Sequence, residues 1–288
     1  MLLATMPYSI LCGDTWTILQ TLSPESVQCV VTSPPYWGLR DYGLGPEGIG
    51  LEPTPQAYVA SLVSVFREVR RVLRNDGVAW LNLGDCYQSG TRGGYSRARN
   101  GVNKNKGSSA SDFTCAPNRL PQDGLKDKDL VGIPWRVAFA LQDDGWYLRS
   151  DTIWAKSNPM PESVTDRPTR SHEYLFLLTK RAQYYYDHEA VQELAVQGNG
   201  TPFRNLRSVW TLPTQPYKGA HFAVFPEALV DPCIRAGSRQ GDLVLDPFCG
   251  SGTVGVVSLR LGRSFLGIDL NPLYVGLAID RLGQVEAP

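Results

Sequence analysis

The segment Thr32-Ser-Pro-Pro-Tyr-Trp37 carries residue types that can hold an amine nucleophile. An exocyclic nucleobase nitrogen is a poor nucleophile because its lone pair is delocalised into the ring. Attack on a methyl sulfonium makes that nitrogen tetrahedral, and two acceptors aimed at its N–H bonds favour this transition state. The Ser33 hydroxyl and the Pro34 carbonyl can supply them, and Pro35 helps to keep that carbonyl fixed. Tyr36 offers a flat face on which a base rotated out of a duplex can stack.

A second segment, Asp246-Pro-Phe-Cys-Gly-Ser-Gly-Thr253, is a glycine-rich turn between a predicted strand and a predicted helix. Gly250 and Gly252 allow a tight turn and a close approach to a ligand. The helix N-terminus that follows offers free N–H groups to a carboxylate or phosphate. Asp269, at the end of the next predicted strand, is placed to accept hydrogen bonds from ribose hydroxyls. These features predict a nucleoside-containing cofactor.

The nature of that cofactor is open to two interpretations, because Gly250, Gly252 and Gly255 also satisfy the dinucleotide pattern G-x-G-x-x-G. Only about one further helix follows Asp269, which is too little chain to complete a dinucleotide fold. Asp246 suits a cationic ligand such as a sulfonium, whereas it would repel a pyrophosphate. A methyl donor is favoured, and a glycine turn without any ligand remains the alternative.

The elements that position these segments are read from hydrophobic periodicity. Strands are predicted at 9–12, 27–31, 78–83, 147–154, 173–179, 243–245 and 265–268, and helices at 56–74, 134–143, 226–236, 254–261 and 272–282. Residues 75–77 are predicted to end the first helix, aromatic residues 183–187 are a candidate to pair with a neighbouring strand, and 199–220 are predicted to be irregular. Alternating strands and helices imply a mostly parallel sheet with helices on both faces. Both chemical segments follow strands, so they belong at the same edge.

Composition sets further bounds. The chain has 288 residues, 42% hydrophobic and 19% charged, which fits a soluble globular protein without a membrane span or a visible secretory signal. Six cysteines form no C-x-x-C pair and no His cluster stands beside them, so we expect no metal site and a reducing compartment. The net charge is zero, but residues 89–111 contain five basic residues and no acid.

The segments TSPPYW and DPFCGSGT, in this order, resemble the beta-class DNA amino-methyltransferases, which methylate cytosine N4 or adenine N6. The resemblance covers most of the chain. It implies a circularly permuted, Rossmann-like α/β fold with a mostly parallel seven-stranded sheet, in one catalytic domain spanning 1–288. It also implies that the final helix packs back toward the first strand. Residues 87–130 would be an insertion that is flexible or contacts DNA, and 188–220 a target-recognition segment.

The same resemblance implies S-adenosyl-L-methionine as cofactor and places residues around it. Asp14 lies near the donor's adenine ring, residues 221–226 form a donor-binding stretch, and Asp269 is the ribose acid. The predicted cofactor-binding residues are Asp14, Phe225, Pro226, Asp246, Phe248, Gly250, Gly252, Thr253 and Asp269.

Basic residues are candidates for contacts with double-stranded DNA. The predicted phosphate contacts are Arg92, Arg97, Arg99, Lys104, Lys106, Arg167 and Arg170. A solvated loop and ordinary surface charge are the alternatives. The segment 201–218, with Arg204, Arg207, Trp210 and Lys218, could hold target-reading groups. His172 and Glu173 are interpreted as structural, because the proton lost by the methylated amine can go to water.

The target base follows from one residue. Similar enzymes with Ser before Pro-Pro often methylate cytosine N4, so Ser33 favours that base. Adenine N6 remains the alternative, since a serine can accept from either amine. Methylation of RNA, protein or a small molecule, and a decayed protein that only binds DNA, are less favoured. Similar enzymes are often dimers and work with a cognate restriction endonuclease in a restriction–modification system, in the cytoplasm of a bacterium or a phage host.

Overall fold

A computed structural model describes residues 7–39, 48–88, 122–195, 202–215 and 225–285. Its strands are β1 (Tyr8–Cys12), β2 (Val27–Thr32), β3 (Leu73–Leu83), β4 (Tyr147–Lys156), β5 (His172–Thr179), β6 (Glu193–Leu194), β7 (Phe203–Arg204), β8 (Val209–Leu212), β9 (Leu243–Asp246) and β10 (Ser264–Asp269). Its helices are α1 (Thr15–Thr21), α2 (Pro55–Val72), α3 (Ile133–Asp143), α4 (Glu227–Gly237), α5 (Thr253–Arg260) and α6 (Pro272–Leu282), with a 3-10 turn at Glu189–Val191. None of these helices is long and apolar enough to cross a bilayer.

One sheet organises the molecule, with strand order β1-β10-β9-β2-β3-β5-β4-β8. Its neighbours pair in parallel except at β5, which is antiparallel to both β3 and β4. The mostly parallel α/β architecture is therefore confirmed. The expected seven strands are eight, because β8 adds to the edge beyond β4. That strand has only four residues inside a Pro-rich stretch predicted to be irregular, too short for its own periodicity to appear. The remaining strands, β6 and β7, form a separate hairpin.

Helices cover both faces of the sheet, as predicted, and each face has its own core. On one face α1, α2 and α3 bury residues such as Leu19, Phe66 and Val137 against the sheet. On the other face α4, α5 and α6 bury Ile234, Val254 and Ala278. The central strand β2 is buried along its whole length, as expected for a parallel strand between two helical layers. The final helix also packs against β1, as predicted.

Three local predictions are corrected. Helix α1 was not indicated by the sequence; its seven residues are too few for a period, and Asp14 caps it by accepting from the Thr17 N–H. Residues 75–77 do not form the turn that separates α2 from a strand. They lie within β3, which starts at Leu73. There the register between β2 and β3 is irregular: Val27 is opposite Leu73, whereas Cys29 is opposite Val78, so residues 75–77 have no partner in β2. Residues 183–187 form no strand and meet β3 through one bond, from Tyr185 N to Asp76 O.

Gly252 shows why the glycine turn has its sequence. Its φ is +77°, and an added Cβ would lie 2.8 Å from Leu282 Cδ1 and 3.0 Å from Ala278 Cβ. The glycine therefore allows α6 to pack on the turn. This is a packing reason, and it differs from the approach to a ligand that the sequence suggested.

We expect Gly252→Ala to lower the free energy of unfolding by about 2–4 kcal/mol, from left-handed strain plus overpacking. Gly241→Ala is the matched control, because Gly241 has φ +82° with nothing within 4 Å; it should lose only about 1 kcal/mol. Urea unfolding measures both. Equal losses would mean that the α6 contact has no energetic weight.

Candidate active site

The two chemical segments meet at the carboxyl edge of the sheet. Strand β2 pairs with β9, which sets Cys29 beside Val244 and Val30 beside Leu245. Just beyond these pairs, the Thr32 hydroxyl donates to Asp246 Oδ1 at 2.7 Å. The predicted juxtaposition of the two loops is thus confirmed, although more than 200 residues separate them in the chain.

The predicted catalytic loop, Thr32–Trp37, begins at the end of β2 at this edge. The partly buried Ser33 hydroxyl lies 3.2 Å from the Tyr36 hydroxyl. The Pro35 carbonyl accepts from Tyr58 at 2.8 Å, whereas no described residue donates to the Pro34 carbonyl. Pro35 and Tyr58 therefore anchor the loop without engaging the Pro34 carbonyl. Trp37, at the end of the segment, is buried and donates to the Glu52 carbonyl.

The Tyr36 hydroxyl has more hydrogen-bond partners than a ring that only stacks on a base would need. Its hydroxyl lies 2.7 Å from Glu173 Oε2 and 2.9 Å from Asn82 Oδ1. Burial and the Glu173 charge raise the pKa of the phenol well above its usual 10. The ring also lies against Gly84, where an added Cβ would come 2.5 Å from ring atom Cε2. The backbone covers that side of the ring, and stacking of a base on the other side stays a prediction.

Three residues at this edge were missed by the sequence interpretation: Asn82, Lys156 and Glu173. Asn82 is near the end of β3 and is 2% exposed, Lys156 ends β4, and Glu173 lies at the start of the antiparallel β5. Lys156 forms an ion pair with Glu173. The His172-Glu173 pair was interpreted as structural; here the two diverge, since His172 contacts the Tyr174 ring while Glu173 reaches Tyr36. Glu173 is the second residue of β5, which β3 separates from β2, so the local sequence carried no signal for its place at this edge.

Asp246, the acid at the start of the glycine loop, is deeply buried. It is 2% exposed and accepts from the Thr32 hydroxyl and from Phe248 N. Burial raises its pKa to about 7, against a weaker opposing effect of those two hydrogen bonds. No described residue forms a salt bridge with it. A buried carboxylate without a cation is costly, so this position favours a positively charged ligand.

Asp269 ends β10, the strand next to β9 and Asp246, and Asp14 follows β1, which lies on the other side of β10. Asp269 accepts from Gly250 N and Asn271 N, each at 2.8 Å, and burial raises its pKa. The Gly13 N–H donates to the Asp269 carbonyl, which fixes the start of α1 beside it. Asp14 Oδ1 accepts from the backbone and hydroxyl of Thr17. Within the described chain neither acid has a salt-bridge partner, so three acids line one edge without a counter-charge.

The other predicted cofactor residues flank this edge or support it. Pro226 is buried at the N-cap of α4, and the partly buried Phe225 packs on the core of that face. The Thr253 hydroxyl is 3.0 Å from Arg281, which also binds Ser251. Thr253 therefore helps to brace the loop through α6. Its direct contact with a cofactor stays a prediction.

The predicted DNA-contacting residues divide into two groups. Arg92, Arg97, Arg99, Lys104 and Lys106 lie outside the described residues, as does Lys218. Arg167 is paired with Glu162 at 2.6 Å and lies 3.9 Å over the Tyr87 ring, and the backbone N of Arg170 also approaches Glu162. Glu162 thus offsets part of their charge.

Two basic side chains of the predicted target-recognition segment are also paired with an acid. Arg204 and Arg207 both pair with Glu193, and Trp210 is 8% exposed in the core. These contacts support the hairpin and the edge strand. No group of three His, Cys, Asp or Glu in the described ranges is arranged to hold a metal ion.

Comparisons with known proteins show the family of this chain. A family model described as DNA methylase (N6_N4_Mtase) matches residues 27–280, from β2 to α6. The chain belongs to this DNA methylase family. The methylase is 55% identical over 270 residues to the type II methyltransferase M.Cfr9I of Citrobacter freundii, covering 94% of this chain and 86% of that one.

Two solved structures share the fold of the methylase. The PvuII DNA methyltransferase (cytosine-N4-specific) has a TM-score of 0.67 at 20% identity, over 95% of this chain and 86% of that chain. The DNA modification methylase TTHA0409 of Thermus thermophilus, solved with S-adenosyl-L-methionine, has a TM-score of 0.63 at 23% identity, over 96% and 93% of the two chains. At these identities the likeness concerns the fold.

Proposed function

We propose that this methylase transfers a methyl group from S-adenosyl-L-methionine to the exocyclic N4 of cytosine at a specific site in double-stranded DNA. The proposal rests on one observation: acids that suit a cationic donor and acceptors that suit an amine lie at the same edge of the sheet. Three acids that have no salt-bridge partner among the described residues lie just after β1 and at the ends of β9 and β10, and the Ser33 and Pro34 acceptors follow β2, which is adjacent to β9. A cationic donor and an amine acceptor would be brought together there.

The residues present fit this donor. When bound, the donor supplies an electrophilic methyl group on a sulfonium. The buried, uncompensated Asp246 suits that positive charge or the donor's amino group. Asp269 retains lone pairs for ribose hydroxyls after accepting from Gly250 and Asn271. Asp14, the N-cap of α1 after β1, would lie near the adenine ring, as the resemblance implies.

The chain's own contribution to transfer is positioning and electrostatic stabilisation. The Ser33 hydroxyl and the Pro34 carbonyl accept from the two N–H bonds of the target amine, which favours the tetrahedral nitrogen. Tyr36 would support the flipped base. The proton released after transfer can leave to water, so no dedicated base is required.

The target base is the finer part of the proposal. Ser33 favours cytosine N4, as the resemblance implied, and the PvuII enzyme with the same fold is cytosine-N4-specific by its name. Adenine N6 is the second candidate, because the described acceptors can bind either amine.

The proposals for partner proteins and location come from similar proteins. M.Cfr9I is a type II methyltransferase, which supports a cognate restriction endonuclease as a proposal for this chain. A homodimer and a cytoplasmic location are proposed from the family resemblance alone. For DNA binding, the basic residues of the 87–130 insertion gain weight over Arg167, whose charge is already paired with Glu162.

A single experiment tests the proposed activity and base. The chain is expressed in a methylation-free host and the genomic DNA is sequenced with modification detection. We expect N4-methylcytosine at one short sequence. N6-methyladenine would favour the second candidate, and unmodified DNA from a folded, donor-binding protein would contradict the function.

Asp269→Ala should raise the donor dissociation constant about tenfold or more, a loss of ~1.4 kcal/mol. The change removes the ribose acceptor and also frees the Gly250 and Asn271 N–H groups of the loop. Calorimetric titration with the donor measures it. Asp280→Ala, on the exposed side of α6, is the control and should leave binding unchanged. An unaltered constant in Asp269→Ala would remove the ribose assignment.

A further inference from the structure

Four side chains form a continuous hydrogen-bonded chain behind the catalytic loop. Ser33 Oγ lies 3.2 Å from Tyr36 Oη, which lies 2.7 Å from Glu173 Oε2. The other carboxylate oxygen, Glu173 Oε1, accepts from Lys156 Nζ. The Lys156 and Glu173 side chains are only 20% and 14% exposed, so solvent screens this pair less than a surface pair.

The direction of each bond in this chain follows from how many protons each group has. Lys156 can only donate, and an ionised Glu173 can only accept. Tyr36 must therefore point its single proton toward an acceptor and keep its oxygen lone pairs for Ser33. The Ser33 proton then points to Tyr36, and the Ser33 lone pairs remain for a third group.

Asn82 reinforces this direction. Its Nδ2 donates to the Tyr174 carbonyl at 3.0 Å, which fixes the amide so that Oδ1 faces the Tyr36 hydroxyl at 2.9 Å. Tyr36 thus meets two acceptors, Glu173 and Asn82, and no described donor other than Ser33. Whichever acceptor takes its proton, that proton is directed away from Ser33.

The geometry points to Lys156 and Glu173 as positioning residues that make Ser33 a hydrogen-bond acceptor toward the target amine. This inference rests on the proposed function, since it concerns the same loop and the same amine. Neither residue has to touch the substrate: Glu173 acts through Tyr36, and Lys156 acts through its ion pair with Glu173. A neutral Glu173 could donate to Tyr36, which would leave Asn82 as the one described acceptor that holds the Tyr36 proton away from Ser33. Each Tyr36 hydroxyl that then turned to donate to Ser33 would direct the Ser33 proton toward the amine N–H.

Lys156→Met tests this through pH. Glu173 is faced by Lys156 from β4, by Tyr36 from the catalytic loop and by its neighbour His172, whose own pKa is lowered by burial and by Arg170. Without the cation, the described residues hold no ion-pair partner for Glu173. With saturating donor and DNA, kcat of Lys156→Met should approach wild type at pH 8.5. The ratio of its kcat to that of wild type should fall as the pH is lowered to 6, by up to about tenfold, the loss expected for one hydrogen bond.

Matched variants separate polarity from structure. Glu173→Gln is neutral at every pH, so its kcat should be about tenfold low throughout, and Lys156→Met in acid should converge on it. Lys156→Arg keeps the cation and should restore the wild-type pH profile. Lys180→Met is the control, because Lys180 pairs with Glu25 at the opposite edge of the sheet; its pH profile should match wild type.

A readout without DNA separates this inference from the proposed function. With ¹³Cζ-labelled tyrosine, and Tyr36→Phe to assign the signal, the Tyr36 resonance should move between pH 8.5 and 6 in Lys156→Met and stay constant in wild type. If that variant does not fold, Lys156→Gln removes the same charge. A moving signal in an enzyme that methylates no DNA would support the hydrogen-bond direction and overturn the substrate. Profiles and signals that follow wild type would overturn the inference.

Discussion

Ser33→Ala should lower kcat about 100- to 1000-fold while leaving donor affinity within about twofold of wild type, the loss seen when one preorganised hydrogen-bond partner of a transition state is removed. Ser33 lies on the β2 side of the edge, and the donor is proposed to bind at β1, β9 and β10. The variant removes one of the two proposed acceptors for the amine and leaves the Pro34 carbonyl as the other. Single-turnover methylation of duplex DNA measures the chemical step directly.

The control for Ser33→Ala lies at the other end of the same strand. Ser26 precedes β2, and its hydroxyl donates to the Ser23 carbonyl at 2.7 Å. Ser26→Ala makes the same chemical change at the amino edge, so its turnover should stay within about twofold of wild type, as for most surface changes. If Ser33→Ala turned over like Ser26→Ala, the hydroxyl would have no part in activating the amine. A loss in donor affinity equal to the loss in rate would place Ser33 in the donor site instead.

The neighbourhood of the two chemical segments could be predicted because it follows from local rules. Each segment directly succeeds a strand, and parallel strands bring their carboxyl ends to one edge. The hydrogen bond between Thr32 and Asp246 shows that the two segments meet at that edge. The acids at 14, 246 and 269 share the edge for the same reason, since each ends or follows a strand.

The support behind the catalytic loop could not be predicted in the same way. Glu173 opens a strand, and only the reversal of β5 brings a strand's beginning to the carboxyl edge. That reversal is set by packing over the whole sheet, so the local pattern around 172–179 does not contain it. Lys156 and Glu173 meet across the β4–β5 pair, a contact that single-strand periodicity does not specify.

The ion-pair partners of several basic residues come from nearby segments that have no sequence pattern, so these pairs could not be predicted. Arg167, Arg204 and Arg207 look free in the sequence, yet each pairs with an acid, Glu162 or Glu193. A basic residue is available for a phosphate only if folding leaves it unpaired, and pairing depends on loop geometry. The short elements α1 and β8 were missed for a related reason, because a segment of four to seven residues has too few positions to establish a period.

Asp246→Asn should stabilise the folded protein at pH 8 and weaken its hold on the donor. Burial raises the pKa of Asp246 from 3.8 to about 7. The folded state therefore binds a proton more tightly than the unfolded state, and stability falls as pH rises from about 4 to about 7. Above pH 7 the carboxylate is ionised at a penalty of up to about 4 kcal/mol, which a neutral amide avoids. Asparagine Oδ1 can still accept from Thr32 and Phe248.

The expected gain is about 1–4 kcal/mol in the free energy of unfolding at pH 8, shrinking toward zero near pH 4. Urea unfolding across this range measures it. Asp242→Asn is the control, because Asp242 lies at the opposite end of β9 and is bonded to Arg74 and to the Arg239 N–H. Losing those bonds should destabilise the protein at pH 8, so the two substitutions should have opposite signs.

Donor binding in Asp246→Asn distinguishes a charge effect from a loss of shape. We expect the dissociation constant of S-adenosyl-L-methionine to rise about 10- to 100-fold, equivalent to ~1.4–2.8 kcal/mol, while that of the demethylated product, a neutral thioether, changes much less. In wild type the preference for the donor over the product should decline below pH 7, as Asp246 becomes protonated in the free enzyme. In Asp246→Asn that pH dependence should vanish. Equal weakening of both ligands would mean that the carboxylate does not act on the sulfonium. It would then either bind a group that both ligands share, such as the amino group, or shape the loop.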